Sequence, residues 1–487
     1  MVFYTFLVIL PFIVFIFLLL FKKLSLLTCT IVTFALFLLL SIFVWQILPE
    51  YLFTSLSKGF FTALDILLII VGALFFLSLL KHFHIIDHLV VYLESLSPDY
   101  RIQIILLAWL LECFLEGIAG FGTPSTIVAP ILVSLGLSPI ASVVLSLLGN
   151  STSVAFGAAG TPIRTGFATL NQIGIAPMTA ALNWVGLIIP VFMIWVIVRH
   201  RRRPLSDFVD TIPFALWSGF IFIFSSFLVV NFSQELTSIV GSILAFIIIF
   251  ISIKLKFLLP PTTIPFPHEQ LHSIRSTTLF KTVLPYIVLI LFLIISKIYL
   301  SPINLFNPGY AFLAASLLFT FMWRLKVPTL WSYFKRSLTS SLEPFLIILF
   351  MSALVQILTL SSFNTSGLTS MLDSLASLIK NVGVAIIAPF IGMFGSFITG
   401  SATISNIMFG SLLSKASLDH HLDPIIILSL QLAGASVGNM IALADMITAE
   451  IVVGLKNHES QLLRQLLPFC LFLVLILSLI GYFLTRS

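Results

Sequence analysis

Long apolar stretches follow one another along most of the chain, and short polar segments separate them. A run of about 20 apolar residues forms an α-helix that can cross the roughly 30 Å hydrocarbon core of a bilayer. A membrane β-strand would instead alternate polar and apolar residues over about 10 positions. The pattern therefore predicts an all-α polytopic membrane protein with about 12–14 membrane segments. The most continuous runs are residues 2–21, 24–48, 60–80, 178–198, 210–230, 236–253, 282–300, 310–323, 341–361, 382–399 and 466–484.

Two further apolar regions, residues 102–165 and 400–455, are interrupted by Gly, Pro, Ser, Thr and Asn. In each region a glycine ends an apolar helix, a hydroxyl-rich segment follows, and a proline starts the next helix. A second glycine then precedes another polar break. Weak internal symmetry of this kind is typical of the substrate sites of secondary transporters. The corresponding residues are Gly117 and Gly400, Pro139 and Pro424, and Gly149 and Gly434.

The repeated pattern divides the chain into two membrane repeats joined by a linker. The N-terminal repeat is residues 1–255, with a hairpin and a broken helix at about 103–165. The linker, residues 256–281, is rich in proline and polar residues. The C-terminal repeat, residues 282–487, carries the second hairpin and broken helix at about 396–450.

The interruptions predict a binding site inside the membrane. Non-helical backbone is tolerated at that depth only where it contacts protein or lines a water-filled cavity. We therefore expect residues 112–126 and 396–410 to be re-entrant hairpins whose tips meet near the bilayer midplane. Unpaired backbone groups and helix N-termini at such tips favour a small anion such as a carboxylate. Alternatively, the small residues only allow close helix packing. The predicted substrate-binding residues are Gly120, Gly122, Thr123, Pro124, Ser125, Asn150, Ser151, Thr152, Ser401, Thr403, Ser405, Asn406 and Asn439.

Composition and charge agree with a membrane protein. Hydrophobic residues make up 59% of the chain and charged residues 9%, whereas a soluble domain has roughly 25% charged residues. The 24 Lys and Arg exceed the 18 Asp and Glu, but they cluster between helices, above all in RHRRRP at residues 199–204. The positive-inside rule assigns this loop to the cytoplasm, near anionic headgroups. The basic excess thus indicates membrane lipids as partners, and no nucleic acid.

Carboxylates within the apolar segments are the predicted proton-coupling groups. Glu116, Glu112 and Asp445 fall in this class because a charge inside a bilayer is costly and burial favours the protonated form. Glu112 and Glu116 lie on one face of a helix. The alternative is a structural role, in which a protonated carboxyl satisfies backbone groups at a helix break. Arg164 can pair with a substrate carboxylate, although snorkelling to a headgroup is the favoured interpretation.

Other functional classes have little support. His84, Asp87 and His88 have a spacing that can bind metal, but such clusters do not recur, so we expect no metal site. No Walker, Rossmann or GxSxG pattern occurs, and we expect neither a cofactor nor enzymatic activity. An intramembrane enzyme using Glu112, Glu116 and the histidines is the competing hypothesis. A channel is disfavoured because no helix carries a continuous polar stripe.

Several motifs resemble those of the bacterial L-lactate permease family. They are FLEGIAGFGTPSTIVAPILVSLGLSP, NSTSVAFGAAGTPI and GSATISNIMFGSLL, and the similarity is dense over about residues 112–165 and 390–450. The resemblance implies a secondary active transporter in the bacterial cytoplasmic (inner) membrane. Its substrate would be lactate or a related 2-hydroxymonocarboxylate such as glycolate, generally coupled to protons. It also implies inverted repeats with re-entrant hairpins.

The resemblance also names the expected partners. They are a small monocarboxylate anion, a co-transported proton or Na⁺, and membrane lipids, while the sequence leaves homo-oligomerisation open. A carrier of the same fold with a different small anion, or with Na⁺ coupling, is the alternative.

The chain departs from the family pattern at two positions. It has Gly400-Ser401-Ala402-Thr403 where the family usually has Gly-Ser-Asp-Thr, and Gly438-Asn439-Met440 where the family often has Gly-Lys-Met. An acid and a base are therefore both missing. Proton coupling would then depend on another carboxylate, and Glu116, in the last turn before the first hairpin tip, is the best placed.

Overall fold

The computed structural model describes residues 2–21, 24–120, 122–265, 279–300, 305–379 and 383–486. Within these ranges the chain forms α-helices with short 3₁₀ and π segments, and no β-strand. The predicted all-α class is therefore confirmed.

Long apolar helices account for most of the predicted runs. In the described ranges nine helices are long and apolar enough to cross a membrane, or ten if a bent pair is counted as one span. The chain is therefore a multi-pass membrane protein. The nine helices are Leu26–Phe43, Pro49–His82, Ile175–His200, Leu205–Val230, Thr237–Lys254, Lys281–Leu300, Val327–Leu360, Pro424–Val452 and Glu459–Leu484.

Shorter helices make up the rest, and several of them end at the predicted interruptions. Two begin as the sequence predicts, at Pro139 and Pro424. The preceding residues Ser138 and Asp423 cap these helices, since their side chains accept hydrogen bonds from the N–H groups of Ala141 and Ile425. The remaining helices are Val2–Phe21, Ile85–Glu94, Tyr100–Ile104, Glu112–Ile118, Ser125–Ser134, Pro139–Asn150, Gly157–Arg164, Pro308–Met322, Met371–Ile379, Val384–Thr399 and Ala402–Asp419.

Gly149 and Gly434 allow close helix packing and do not themselves break a helix. Each lies inside a helix that continues beyond it. A methyl group on Gly149 would lie 1.9 Å from the Ala108 carbonyl oxygen, and one on Gly434 would lie 2.1 Å from the Pro389 carbonyl oxygen. Neighbouring backbones therefore touch at these points, as is common between membrane helices. The polar breaks begin only after these glycines.

The interrupted segments form the buried centre of the molecule. In Pro424–Val452, 89% of the most apolar stretch is buried, compared with 39% in Glu459–Leu484. Exposed aromatic side chains such as Phe472 and Phe483 lie on this second helix, where lipid would cover them. The polar breaks are therefore shielded from lipid by other helices.

The predicted linker lies between two of the long helices. Thr237–Lys254 ends before it, and residues 256–265 form turns and irregular structure without a helix. Residues 266–278, which complete most of the predicted linker, lie outside the described residues. The next helix is Leu279–Leu300.

Candidate functional site

The first interruption follows a π-helical segment. The chain is π-helical at Ile105–Leu111, returns to an α-helix at Glu112–Ile118, and begins another at Ser125–Ser134. Between these helices Gly120 and Gly122 have φ angles of 58° and 70°. Glycine adopts this left-handed region at little cost, so these residues allow the chain to turn. Segments of π-helix are frequent at functional sites.

The second interruption has a glycine turn followed by a capped helix. Val384–Thr399 ends at Gly400, whose φ is 69°, and Ala402–Asp419 follows. Ser401 caps the second helix, since its Oγ accepts a hydrogen bond of 3.4 Å from the Ile404 N–H. The N-terminus of this helix carries partial positive charge. Both interruptions predicted from the sequence are thus present as helix breaks.

A third break lies in the helix pair that follows the first interruption. Pro139–Asn150 and Val154–Arg164 are bent by 57° relative to each other. Inside the second helix Ala158 and Ala159 have φ angles of 42° and 52°. A left-handed alanine costs about 1–2 kcal/mol, and such strain is concentrated at functional sites.

All three breaks line one narrow space, which has about 280 Å³ of empty volume when the part open to solvent is included. The first interruption contributes glycines and a carboxylate, the second contributes hydroxyls and a helix N-terminus, and the bent helix pair closes one side. The lining residues are Glu116, Gly120, Gly122, Val154, Gly157, Ala158, Pro162, Gly400, Ser401, Ala402, Thr403 and Asn439. We call this space the central cavity.

Glu116 contacts the bent helix directly. Its side chain is buried, and a methyl group on Gly157 would lie 2.3 Å from its Oε1 atom. Gly157 is thus needed for the close approach of this carboxylate. The Oε2 atom makes no hydrogen bond of normal geometry within the described residues, and the neutral Asn150 side chain lies close enough to interact with the carboxylate.

Asp445 lies in the second interrupted region and approaches the first interruption. Its Oδ2 accepts a hydrogen bond of 3.0 Å from the Asn439 amide, and Asn439 in turn accepts one of 3.2 Å from Ser396. A methyl group on Gly122 would lie 2.3 Å from Asp445 Oδ1. One on Gly400 would lie 3.6 Å from the same atom. Asp445 therefore lies close to the glycine turns of both interruptions.

Glu112 is more completely buried in the protein than Glu116. It is fully buried, and its Oε1 accepts a hydrogen bond of 2.9 Å from Ser125 Oγ. Ser125 begins the helix after the first interruption, so this bond joins the two helices on either side of it.

The three carboxylates have no basic partner. Across the part of the chain that the structure describes, no Lys, Arg or His forms an ion pair with Glu112, Glu116 or Asp445. Asp445 lies close enough to Glu116 for two ionised carboxylates to repel each other. A site of this kind favours a bound proton or a cation.

Several predicted binding residues support the central cavity from outside it. Ser151 Oγ donates to Leu148 O, Thr152 Oγ1 accepts from Trp109, and Ser405 Oγ donates to Gly392 O. These side chains hold backbone and ring groups in place. Pro124 stands before the helix Ser125–Ser134 and does not line the cavity, and Asn406 donates to Pro162 O.

Sequence reasoning missed some of the residues that line or brace the cavity. Gly157, Ala158 and Pro162 line it directly, and the signal was available in the small residues of the segment AFGAAGTP. Ser436 is a second omission. Its Oγ donates to Ser151 O at 2.7 Å and accepts from the Ala155 N–H at 3.0 Å, which joins the two interrupted regions.

Arg164 does not snorkel to a headgroup as favoured from the sequence. Its side chain is mostly buried and pairs with Asp65 at 3.1 Å. It also donates a hydrogen bond of 2.7 Å to the Phe306 carbonyl oxygen. His84 likewise pairs with Asp87 at 2.7 Å on an exposed turn.

A wide groove reaches the first hairpin tip from one side. It has about 910 Å³ of empty space and is lined by Lys81, His82 and Arg336 together with Thr123. Thr123 lies on the groove and not on the central cavity, and its Oγ1 donates to Gly120 O at 2.5 Å. The groove therefore places basic groups near the first interruption.

Comparison with known proteins identifies the family. The family model described as L-lactate permease matches residues 5–305 and 296–486, which together span nearly the whole chain. The chain belongs to the L-lactate permease family. Membership in a family of permeases makes it a transport protein and not an enzyme, as the sequence predicts.

Relatives in the family match this chain over most of its length and most of their own. The L-lactate permease of Bacillus subtilis is 25% identical over 97% of this chain and 94% of its own length. The glycolate permease of Escherichia coli is 25% identical, covering 92% of this chain and 90% of the relative. The L-lactate permease of Escherichia coli is 27% identical, covering 84% and 83%. Family members named for lactate and for glycolate are thus about equally similar to this chain.

Proposed function

We propose that this protein is a secondary active transporter that moves lactate, glycolate or a related small 2-hydroxymonocarboxylate across the bacterial cytoplasmic membrane with protons. The observation that carries the proposal is the central cavity, in which two interrupted regions of an L-lactate permease family member meet beside unpaired carboxylates. The relatives are bacterial permeases, which supports the assignment to that membrane.

The cavity chemistry suits a small hydroxy acid. The N-terminus of Ala402–Asp419 and the hydroxyls of Ser401 and Thr403 provide donors for a carboxylate. The Glu116 carboxylate can accept a hydrogen bond from the 2-hydroxyl group of the solute. Both named substrates of the relatives carry these two groups, so we take the hydroxymonocarboxylate as the substrate class.

We take residues 112–126 and 396–410 to be re-entrant hairpins of two inverted repeats. Supporting this, each segment breaks at left-handed glycines, and both breaks line the same cavity. Irregular backbone at membrane depth is stable only next to protein or a water-filled cavity. Such an arrangement would let the solute reach the site from each side in turn.

The charges of the site support proton coupling. Glu112, Glu116 and Asp445 lie close together without a basic partner, and three such groups cannot all be ionised in a low-dielectric site. Ala402 and Asn439 stand where the family usually has an acid and often has a base, which leaves these carboxylates as the titratable groups. We assign the transported proton to Glu116, because it faces the central cavity.

Uptake by proteoliposomes tests the function. Purified protein should accumulate labelled L-lactate and glycolate when the interior is made alkaline, and protein-free liposomes should not. A sodium gradient at constant pH is the second arm of the experiment. Accumulation driven by Na⁺ and not by pH would exclude proton coupling, and failure to move either acid would exclude the substrate class.

A further inference from the structure

A second polar cavity lies beside the central one. It is narrow, with about 320 Å³ of empty volume when the part open to solvent is included. Its walls come from Pro49–His82, residues 165–170, Leu342–Leu360 and Ala402–Asp419. Seven of its twelve lining residues carry a hydroxyl or an amide group. The polar side chains include Thr62, Thr165, Ser352, Gln356, Asn406 and Ser411.

Three buried polar atoms at this cavity are unpartnered. Thr165 Oγ1, Ser352 Oγ and Asn406 Oδ1 have no hydrogen-bond partner among the described residues. The three residues are only 3%, 5% and 1% exposed. Leaving such an atom unpaired costs about 1–3 kcal/mol. Three of them around one space indicate a polar occupant that satisfies them.

Asn406 connects the second cavity to the central one. Its Nδ2 donates a hydrogen bond of 2.9 Å to Pro162 O. Pro162 lines the central cavity, whereas Asn406 lines the second cavity. This contact therefore lies between the two spaces.

A positive charge lies next to the second cavity. Arg164 directly precedes Thr165, and its partner Asp65 is one helical turn from Thr62. One terminal nitrogen of Arg164, Nη1, is buried and has no partner in the described ranges. A carboxylate beside Thr165 would therefore find an unused charged donor nearby.

We propose that the second cavity is a further binding site for the transported 2-hydroxymonocarboxylate, occupied on its path between the central cavity and the membrane face near residues 166–174. The proposal rests on the proposed function. The Thr165 and Ser352 hydroxyls donate to the solute carboxylate, and Asn406 Oδ1 accepts from the solute hydroxyl group. The sequence signal for this site is weak, because its hydroxyls lie on four separate segments.

Paired substitutions test the second site. The double variant T165V and S352A removes two of the unpartnered hydroxyls with little change of volume. The double variant T179V and S218A is the matched control, because Thr179 and Ser218 are equally buried and equally unpartnered but line none of the cavities described above. Both are reconstituted for exchange of labelled glycolate and L-lactate below KM, and equilibrium binding is measured on the same preparations.

The second site predicts a selective loss of transport rate. Exchange by T165V/S352A should fall about tenfold, equilibrium affinity at the central cavity should stay within about twofold, and the control pair should match the wild type. Exchange at the wild-type rate by T165V/S352A would show that the cavity holds water only and would overturn the proposal. An equal loss in the control pair would also overturn it. If the wild type itself moves neither acid, the proposed function fails and this proposal fails with it.

Discussion

At the scale of single residues, burial distinguishes the candidate proton-coupling carboxyl groups. Glu112, Glu116 and Asp445 are all buried within the protein centre, and the sequence identified them because acids are rare in its apolar segments. What the sequence could not give is their proximity, since Asp445 reaches Gly122 only through the tertiary fold. The left-handed Ala158 and Ala159 were equally unpredictable, because alanine is a strong helix former.

Glu94 provides a pH test outside the membrane spans. It ends the helix Ile85–Glu94, is 3% exposed, and burial raises its pKa from 4.5 to about 7. Because the pKa of Glu94 is raised in the folded protein, the contribution of this carboxyl group to the free energy of unfolding is fully present below pH 4.5 and is lost as the pH rises through about 7. Glu94→Gln removes the ionisation. The melting temperature of the variant minus that of the wild type should therefore increase between pH 5 and pH 8.5. The exposed Glu50→Gln is the control and should show no such trend, and a pH-independent difference for Glu94→Gln would contradict the assignment.

At the scale of helices, the positions of glycine and proline predicted where the chain breaks. Pro139 and Pro424 begin helices as expected, and Gly120, Gly122 and Gly400 lie at the breaks. The same residue types also misled, because Gly149 and Gly434 serve helix packing. Sequence alone does not distinguish the two uses, since both depend on the missing Cβ atom.

The turn at Gly122 should not tolerate a side chain. Gly122→Ala would bring a methyl group to 2.3 Å from Asp445 Oδ1, at a φ of 70°. We expect initial uptake of labelled L-lactate to fall by about tenfold or more, because Asp445 must move. Gly367→Ala is a matched control with the same φ of 70° and nothing within 4 Å of the added atom. Equal activity of the two variants would show that the contact with Asp445 is unimportant.

At the scale of the whole molecule, basic residues in the loops between helices set the orientation of the chain in the membrane. The basic segment at residues 199–203 should lie in the cytoplasm, and Ile175–His200 is long enough to place residue 173 on the opposite side. An impermeant maleimide added to intact cells should therefore label Ile173→Cys, which is at an 81% exposed position, and should not label Arg202→Cys. The native Cys29, Cys113 and Cys470 are buried, so background should be low. The opposite labelling pattern would reverse the topology.

The central claim is that the cavity where the two interrupted regions meet couples solute movement to a proton through Glu116. Glu116→Gln fixes the side chain in a neutral form that still fills the same space against Gly157. The decisive measurement compares, in the same proteoliposomes, exchange of labelled L-lactate at equal pH with its accumulation under an inside-alkaline gradient. We predict that Glu116→Gln retains exchange and loses accumulation, because a group that cannot ionise cannot carry a proton through the cycle. Accumulation by Glu116→Gln equal to that of the wild type would contradict the account and place the proton path elsewhere.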